Sequence, residues 1–272
     1  MKRRTGSFAA LSAKFSRADS YPSQFVENDN FGVKIMAENK YKNKTVSVLG
    51  DSISTFLGYI PERNAPRYPQ ENLLMDVEDT WWMRVIAALD MRLAFNDSWA
   101  GSQVSNIFDS PEGNLGPDRC MANPERIKNL SRNSVPDVIF LYGGTNDVGR
   151  ALYPIGVFDA TACPLSPDWS KHKWQSFTEG YTEALLRLRC VYPDSQIICL
   201  LPGYVRSYYT PERMNTAGAE LEKICNHLGV KYIDLKLCGI GEGNYDKYLP
   251  DGIHPNAEGM KLIADYIISN LI

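Results

Sequence analysis

Short apolar runs alternate along the chain with longer segments of helical spacing, and this alternation constrains the fold more than any other feature. Each of five runs is rich in Val, Ile, Leu or aromatic residues and is bounded by Gly, Pro or polar residues, which is typical of buried strands. The predicted strands are Thr45–Leu49, Arg92–Asn96, Asp137–Tyr142, Gln196–Leu201 and Val230–Leu235. Spacing and capping residues predict helices over Trp81–Leu89, Pro124–Leu130, Lys173–Val191, Pro211–Leu228 and Ala257–Leu271. The alternation predicts an α/β fold with a five-stranded parallel sheet covered on both faces.

The composition narrows the classes of partner and the compartment. The 272 residues carry a formal net charge of −3, and charges of both signs are mixed along the chain. This charge pattern does not predict nucleic-acid binding, which usually needs a strongly basic surface. No apolar run approaches the roughly 18 residues that a membrane span needs. The six cysteines form no CxxC pair. We interpret them as free, mostly buried thiols of a reducing compartment, which predicts a cytoplasmic protein, and the sequence does not indicate an oligomeric state.

The N-terminal segment differs in pattern from the rest of the chain. Met1–Arg4 is basic, as a signal peptide would begin, but Thr5–Ser20 contains no apolar stretch, so secretion is not predicted. A transit peptide is the alternative interpretation. Met36, just before the first strand, would itself make a plausible start. We predict that residues 1–40 are a disordered extension and that residues 41–272 form the domain.

A serine follows the first predicted strand directly, in Gly50-Asp51-Ser52-Ile53-Ser54. A serine nucleophile needs a tight turn after a strand that leaves its hydroxyl exposed. The alternative is an ordinary Ser/Asp turn or cap, which these residues often form. A phosphate-binding loop is not indicated, because neither GxxxxGK[ST] nor GxGxxG occurs here.

A histidine with an acid three residues before it precedes the last helix, in Asp251-Gly252-Ile253-His254-Pro255. A serine hydroxyl needs a neighbouring base, and a histidine base needs a partner that fixes its tautomer. The alternative is a capped turn in which His254 only packs. The other two histidines fit worse, because His227 lies in the last turn of a helix and His172 in a polar loop.

Two further segments follow strands and can supply hydrogen-bond donors. Gly143–Asp147 comes after the third strand and contains Asn146, and Asn96–Ser102 comes after the second strand and contains Gly101. Acyl transfer needs donors aimed at a developing oxyanion, which an asparagine side chain or an unobstructed glycine N–H can provide. Each segment alone is equally consistent with a plain turn.

The order of these four motifs resembles that of SGNH (GDSL-like) hydrolases over roughly residues 45–270. GDSI stands where the family often has GDSL, and DGIHP matches fully. The resemblance implies Ser52 as nucleophile, His254 as general base and then acid, and Asp251 as its orienting partner. It also implies an oxyanion hole made by the backbone N–H groups of Ser52 and Gly101 and the Asn146 side chain. The implied fold is a flavodoxin-like three-layer α/β/α sandwich, in agreement with the strand count.

The activity that the resemblance implies is ester hydrolysis through an acyl-enzyme, with no cofactor or metal. Our first choice of substrate is a short-acyl ester, above all an O-acetyl ester on a carbohydrate, and a lysophospholipase or thioesterase comes second. Aromatic residues in or near two long loops, 58–76 and 149–171, either bind sugar rings or pack those loops. These aromatic residues are Tyr59, Tyr68, Trp99, Tyr153 and Trp169.

Two alternatives from other classes remain open. A metal-dependent phosphoesterase would use Asp51, Asn146, Asp147, Asp251 and His254. Such sites usually need several histidines, whereas this chain has one suitable candidate. A non-enzymatic binding module is the other alternative.

Overall fold

The five predicted strands form one parallel sheet in the computed structural model, which describes residues 39–105, 117–149, 153–161, 176–206 and 210–272. The strands are β1 (Thr45–Gly50), β2 (Arg92–Ser98), β3 (Val138–Tyr142), β4 (Gln196–Leu201) and β5 (Lys231–Asp234). Their order across the sheet is β2-β1-β3-β4-β5, and all neighbouring pairs run parallel. The predicted α/β class with a flavodoxin-like strand order is therefore confirmed.

Helices cover both faces of this sheet. Within the described residues they are α1 (Trp81–Ala88), α2 (Pro124–Asn129), α3 (Thr145–Val148), α4 (Phe177–Val191), α5 (Pro211–Leu228), α6 (Tyr245–Tyr248) and α7 (Ala257–Ser269). Helices α1 and α7 pack with one hydrophobic cluster, and α2, α4 and α5 pack with the other. The sheet between the two clusters completes the predicted three-layer sandwich.

Strand β3 shows why the central runs are apolar without a break. Phe140 and Tyr142 belong to the cluster under α1 and α7, while Ile139 and Leu141 belong to the cluster under α4 and α5. Successive side chains of a strand point to opposite faces, so a strand covered on both sides must be apolar at every position. All five β3 residues are buried.

The capping signals in the sequence act as predicted. Thr80 begins α1, and its hydroxyl accepts a hydrogen bond from Met83 N at 3.3 Å. Asn256 begins α7, and its side chain accepts one from Gly259 N at 2.9 Å. Gly229 ends α5 in the left-handed region, with φ of 63°. Such side-chain caps each contribute about 1 kcal/mol by satisfying N–H groups of the first helical turn.

Four elements, β2, α3, α6 and β5, differ from the predictions. Strand β2 continues two residues beyond the predicted end at Asn96, because Asp97 pairs with Leu49 of β1 and Ser98 pairs with Gly50. Helix α3 occupies residues predicted as a glycine turn. Helix α6 was not predicted at all. Strand β5 ends at Asp234, because the Asp234 carboxylate accepts from Lys236 N and starts a short 3-10 turn.

The N-terminal prediction concerns residues 1–38, which lie outside the described residues, so the extension and its boundary stay predictions. All described residues belong to one compact unit. Five described cysteines carry free thiols, four of them buried, and Cys163 lies outside the described residues. In the described part of the chain, no helix is both long and apolar enough to cross a membrane.

Candidate active site

The candidate residues collect at the carboxyl end of the sheet, where its strand order reverses. The chain adds β2 on one side of β1 and β3 on the other. Ser52 follows β1 and Asn146 follows β3, so the two flank the point between these strands. In open parallel sheets the loops diverge at this point and leave a crevice, which is where ligands bind.

The turn that carries Ser52 is held by short-range hydrogen bonds. Asp51 Oδ1 accepts from Ile53 N at 2.9 Å, and the Ser52 carbonyl accepts from the Thr55 hydroxyl at 2.8 Å. Gly50 lies so close to its neighbours that a Cβ there would approach the Ser54 Cβ to 2.6 Å. Only glycine therefore lets the chain leave β1 and turn back in this way. Ser52 itself is 7% exposed.

Ser52, His254 and Asp251 form a continuous chain of hydrogen bonds. His254 Nε2 lies 2.9 Å from Ser52 Oγ, and His254 Nδ1 lies 2.8 Å from Asp251 Oδ2. Both separations are within the range expected between a nucleophile, a base and the group that orients the base. The 202 residues that separate Ser52 from His254 are bridged because both loops leave the same edge of the sheet.

The Asp251 carboxylate is bound through both oxygens. Oδ1 accepts from Ile253 N at 3.0 Å and from His254 N at 2.7 Å, while Oδ2 accepts from His254 Nδ1 and from the Arg67 guanidinium. Partial burial acts to raise the pKa of Asp251, but the hydrogen bonds from His254 and Ile253 N and the charge of the imidazole outweigh it and hold that pKa well below its usual range. Asp251 is therefore ionised throughout the neutral range and can stabilise a charged imidazole.

The loop after Gly58 packs against His254 and the residue that follows it. Tyr68 is fully buried, its hydroxyl donates to the Pro255 carbonyl at 2.9 Å, and its ring meets the His254 ring edge-on with centroids 6.4 Å apart. Pro255 directly follows the histidine. The contact therefore fixes the backbone beside His254, and the first of the two predicted long loops forms part of the site.

Two of the candidate oxyanion donors, Asn146 and Gly101, are linked to each other through α3. Asn146 Nδ2 donates to the Ser102 carbonyl at 2.8 Å, next to Gly101, whose φ is +80°. The buried Asp147 carboxylate accepts from Val104 N at 3.1 Å and from Ser105 N. These bonds fix the Gly101–Ser105 segment against α3. Within the described residues, no hydrogen bond is found from the backbone N–H groups of Ser52 or Gly101.

Comparison with known proteins agrees with this geometry. A family model described as GDSL-like Lipase/Acylhydrolase matches residues 44–271. The chain belongs to this family. It is accordingly a hydrolase that acts on ester bonds.

Solved structures show the same GDSL-like fold. A protein described as a GDSL-like lipase from Bacteroides ovatus is 28% identical, with a TM-score of 0.62, over 85% of this chain and 98% of that one. One from Bacteroides uniformis is 29% identical, with a TM-score of 0.62, over 84% and 95%. A carbohydrate acetylesterase from Sinorhizobium meliloti shares the fold at 16% identity and a TM-score of 0.54, over 84% and 98%. No curated protein matches the chain.

A buried arginine that the sequence analysis missed holds the GDSL-like site together. Arg126 of α2 is fully buried, and its Nε donates to Asp97 Oδ1 at 3.0 Å. Its other donors bind the Ser102 hydroxyl at 2.6 Å, the Gly50 carbonyl at 3.2 Å and the Arg119 carbonyl at 2.6 Å. One side chain thus ties the segment that leads to Ser52 to the segment that carries Gly101. No local pattern marks it, because its partners come from separate loops.

Arg126→Met is expected to destabilise the protein by about 3 to 5 kcal/mol, because Asp97 would keep a buried charge without its counter-ion. Urea denaturation of purified variants measures the free energy of unfolding. The matched control is Arg84→Met, which removes an ion pair with Asp79 whose side chains are 29% and 37% exposed. Exposed pairs contribute at most about 1 kcal/mol. Equal losses in the two variants would contradict the role given to Arg126.

Asp51 is a second ionisable group beside the nucleophile. Burial raises its pKa to about 7, although hydrogen bonds from the Thr145 side chain and from Ile53 N act to lower it. Asp51 therefore changes charge near neutral pH. The pH dependence of the rate at this site therefore contains a contribution from Asp51, which an Asp51→Asn variant removes.

The remaining predicted residues have other surroundings. His227 packs its ring against Phe158, with centroids 5.4 Å apart, and His172 lies outside the described residues. Of the loop aromatics, Tyr68, Trp99 and Tyr153 are buried, so packing is the interpretation that holds for them. Tyr59 is half-buried, and Trp169 lies outside the described residues. No group of three or more His, Cys, Asp or Glu side chains with metal-binding geometry occurs in the described part of the chain.

Proposed function

We propose that this protein is a serine esterase in which Ser52 is the nucleophile, His254 the general base and then acid, and Asp251 the residue that orients His254. The observation that carries the proposal is the unbroken pair of contacts, 2.9 Å from Ser52 Oγ to His254 Nε2 and 2.8 Å from His254 Nδ1 to Asp251 Oδ2. A serine hydroxyl becomes a useful nucleophile only when a base stands this close.

In the first step, Ser52 Oγ attacks the ester carbonyl carbon while its proton passes to His254 Nε2. The carbonyl electron pair moves onto oxygen, and the backbone N–H groups of Ser52 and Gly101 and the Asn146 amide stabilise this oxyanion. The C–O bond to the alcohol then breaks, and the leaving oxygen takes the proton from His254. The acyl group remains on Ser52, and the ionised Asp251 stabilises the imidazolium between the two transfers.

In the second step, water replaces the alcohol. His254 removes a proton from the water while the water oxygen attacks the acyl carbon. The same three donors stabilise the second oxyanion. The bond to Ser52 Oγ then breaks, and Oγ recovers its proton from His254. The products are a carboxylic acid and the free enzyme, so every proton is returned.

For the substrate we propose a short-acyl ester, above all an O-acetyl ester of a carbohydrate. The residues beside the site support a polar alcohol. Arg63 and Arg119 place guanidinium groups over the Trp99 ring, at 5.7 and 5.3 Å from its centroid. Between Arg63 and Arg67 the chain contains only Asn, Ala and Pro, and Arg67 binds the Asp251 carboxylate. These guanidinium groups offer hydrogen-bond donors to a polar alcohol.

The test is a hydrolysis screen of the purified full chain on chromogenic acetyl, butyryl, octanoyl and palmitoyl esters, followed by acetylated sugars. We expect kcat/KM to fall as the acyl chain grows, and EDTA to leave the rate unchanged. A maximum at palmitoyl would overturn the short-acyl proposal in favour of a lysophospholipase or thioesterase. Hydrolysis that disappears with EDTA would instead favour a metal-dependent mechanism over the serine mechanism.

We also propose that the enzyme is cytoplasmic. This proposal is supported by the five free cysteine thiols among the described residues. Free thiols persist in reducing compartments. Fractionation of the cells that make the protein, followed by immunodetection, would place it elsewhere if the prediction is wrong.

Asn146→Ala is expected to lower kcat about 10²- to 10³-fold, the usual loss when one oxyanion donor is removed. KM should change much less, because the oxyanion forms only in the transition state. The matched control is Asn133→Ala, which also removes one amide-to-carbonyl hydrogen bond, from Asn133 Nδ2 to the Ala94 carbonyl at 2.9 Å. Similar kcat values for the two variants would show that Asn146 only ties the Gly101 segment to α3.

A further inference from the structure

Arg67 is anchored from both sides of the candidate site. Its backbone N–H donates to Thr55 Oγ1 at 2.8 Å, and Thr55 in turn binds the Ser52 carbonyl. The next residue, Tyr68, donates to the carbonyl of Pro255. The Arg67 side chain is 29% exposed, and its Nε is buried. The guanidinium is therefore held at a fixed place between the serine turn and the histidine loop.

The guanidinium of Arg67 contacts the same carboxylate oxygen as the histidine. Asp251 Oδ2 accepts from Arg67 Nη2 and from His254 Nδ1, while Oδ1 is occupied by two backbone N–H groups. The backbone bonds and the imidazole are sufficient to orient the carboxylate. What Arg67 adds to this arrangement is a positive charge, shared through a single oxygen atom with the base.

A fixed positive charge here opposes protonation of the histidine. An imidazolium would compete with the guanidinium for the Asp251 charge and would be repelled by it. The neutral imidazole, which can accept the Ser52 proton, gains correspondingly. We propose that Arg67 is a positioning residue that acts through Asp251 to keep His254 neutral, and so extends the activity of this site to lower pH.

Other charged and titratable groups near His254 define the controls. Tyr68 stays neutral, because burial raises its pKa well above the usual range. Arg206 adds a second positive charge, with its side chain packed against Gly252 and its guanidinium 5.2 Å from the Tyr245 ring centroid. Asp51, whose pKa burial raises to about 7, titrates in the same range as a histidine. An Asp51→Asn variant keeps an acceptor for Ile53 N and removes this second titration.

The direct test is an NMR titration of the histidine Cε1–H signals in the full chain. The His254 signal is identified by its absence in His254→Ala, which separates it from His172 and His227. Arg67→Met should raise the His254 midpoint by about 0.5 to 1 pH unit, a shift limited by solvent screening of this partly exposed pair. Arg67→Lys, which keeps the charge, should stay nearer the wild type.

Two further variants separate charge from structure. Arg67→Gln keeps an N–H donor without the charge and should give the same upward shift, and it replaces Arg67→Met should that variant not fold. Arg84→Met removes an ion pair of equal arginine exposure, 29%, far from the site in sequence, and should leave the midpoint unchanged. A His254 midpoint that is unmoved or lowered in Arg67→Gln would overturn the proposal.

The consequence for catalysis rests on the proposed serine mechanism and has its own readout. The acid limb of kcat/KM for a neutral acetyl ester should move upward in Arg67→Met by the same amount as the NMR midpoint, in the Asp51→Asn background as well as in the wild type. KM at the pH plateau should stay within about threefold. An altered KM with an unmoved limb would mean that Arg67 binds substrate directly. If the wild type hydrolyses no ester, the proposed function fails, while the NMR titration still decides the role of Arg67.

Discussion

Replacing Ser52 with alanine is expected to lower kcat by roughly a thousandfold or more while the protein stays folded. The hydroxyl oxygen is the only heavy atom lost, and it is the atom that would bond to the acyl carbon. The remaining donors and binding contacts can therefore sustain only a small residual rate. The lost hydrogen bond to His254 Nε2 is a single contact of 2.9 Å, and one such bond contributes about 1 kcal/mol to stability.

Steady-state hydrolysis of an acetyl ester measures the loss in Ser52→Ala, and thermal unfolding followed by circular dichroism verifies the fold. Ser195→Ala is a suitable control, because it also removes a hydroxyl with one hydrogen bond, to the Pro136 carbonyl at 2.6 Å, at the opposite end of the sheet. A fluorophosphonate should label the wild type and Ser195→Ala but not Ser52→Ala. Near-normal turnover by folded Ser52→Ala would end the serine hypothesis.

The elements that the sequence predicts to the residue are those with local signals at both ends. Strand β4 is the apolar run Gln196–Leu201, stopped by Pro202, and α5 begins with Pro211 and ends at the left-handed Gly229. Proline and glycine impose these boundaries through their own backbone preferences. Such boundaries need no information from the rest of the chain.

Elements that depend on distant partners could not be predicted in the same way. Asp97 disfavours strands and lies beyond the predicted strand end, yet it belongs to β2 because its side chain finds a buried partner, and the neighbouring Asn96 is held in the same way. Asn96 Nδ2 donates to the Ser54 carbonyl at 2.9 Å, and Asp97 pairs with Arg126. The extension of β2 is thus a tertiary effect.

The same distinction applies within the site. Ser52, Asp251 and His254 lie in short motifs, so the sequence alone nominated them, and the structure brings them into contact. Arg67 lies 184 residues from Asp251 along the chain, and nothing in its neighbourhood indicates that a carboxylate will be there. Motifs reveal groups that react, whereas the charged residues that support them appear only once the loops are placed.

Asp251→Asn is expected to lower kcat by about 10³- to 10⁴-fold through the wrong histidine tautomer. The asparagine oxygen can still accept from Ile253 N and His254 N. Its NH₂ group would then face His254 Nδ1, which must turn from donor to acceptor. The imidazole proton would move to Nε2, where it blocks the transfer from Ser52. Asp234→Asn is the matched control, because Asp234 Oδ1 also accepts from a backbone N–H two residues on, at 2.9 Å.

The pH dependence of the Asp251→Asn variant separates an electrostatic role from a purely local one. Since the pKa of Asp251 is held well below its usual range, this carboxylate stays ionised down to acidic pH, and the acid limb of kcat/KM reports protonation of other groups. Loss of the negative charge removes what favours the imidazolium, so the limb should move to lower pH. An unmoved limb would mean that Asp251 only shapes the turn.

The double variant completes the argument about this pair. His254→Ala should lose at least as much rate as Asp251→Asn, because the base itself is gone. Once the imidazole is absent, Asp251 has nothing left to orient, so the double variant should be no slower than His254→Ala by more than about threefold. Losses that multiply instead would show that Asp251 and His254 act independently. In that case His254 would be oriented by another contact, and the 2.8 Å hydrogen bond between them would be structural only.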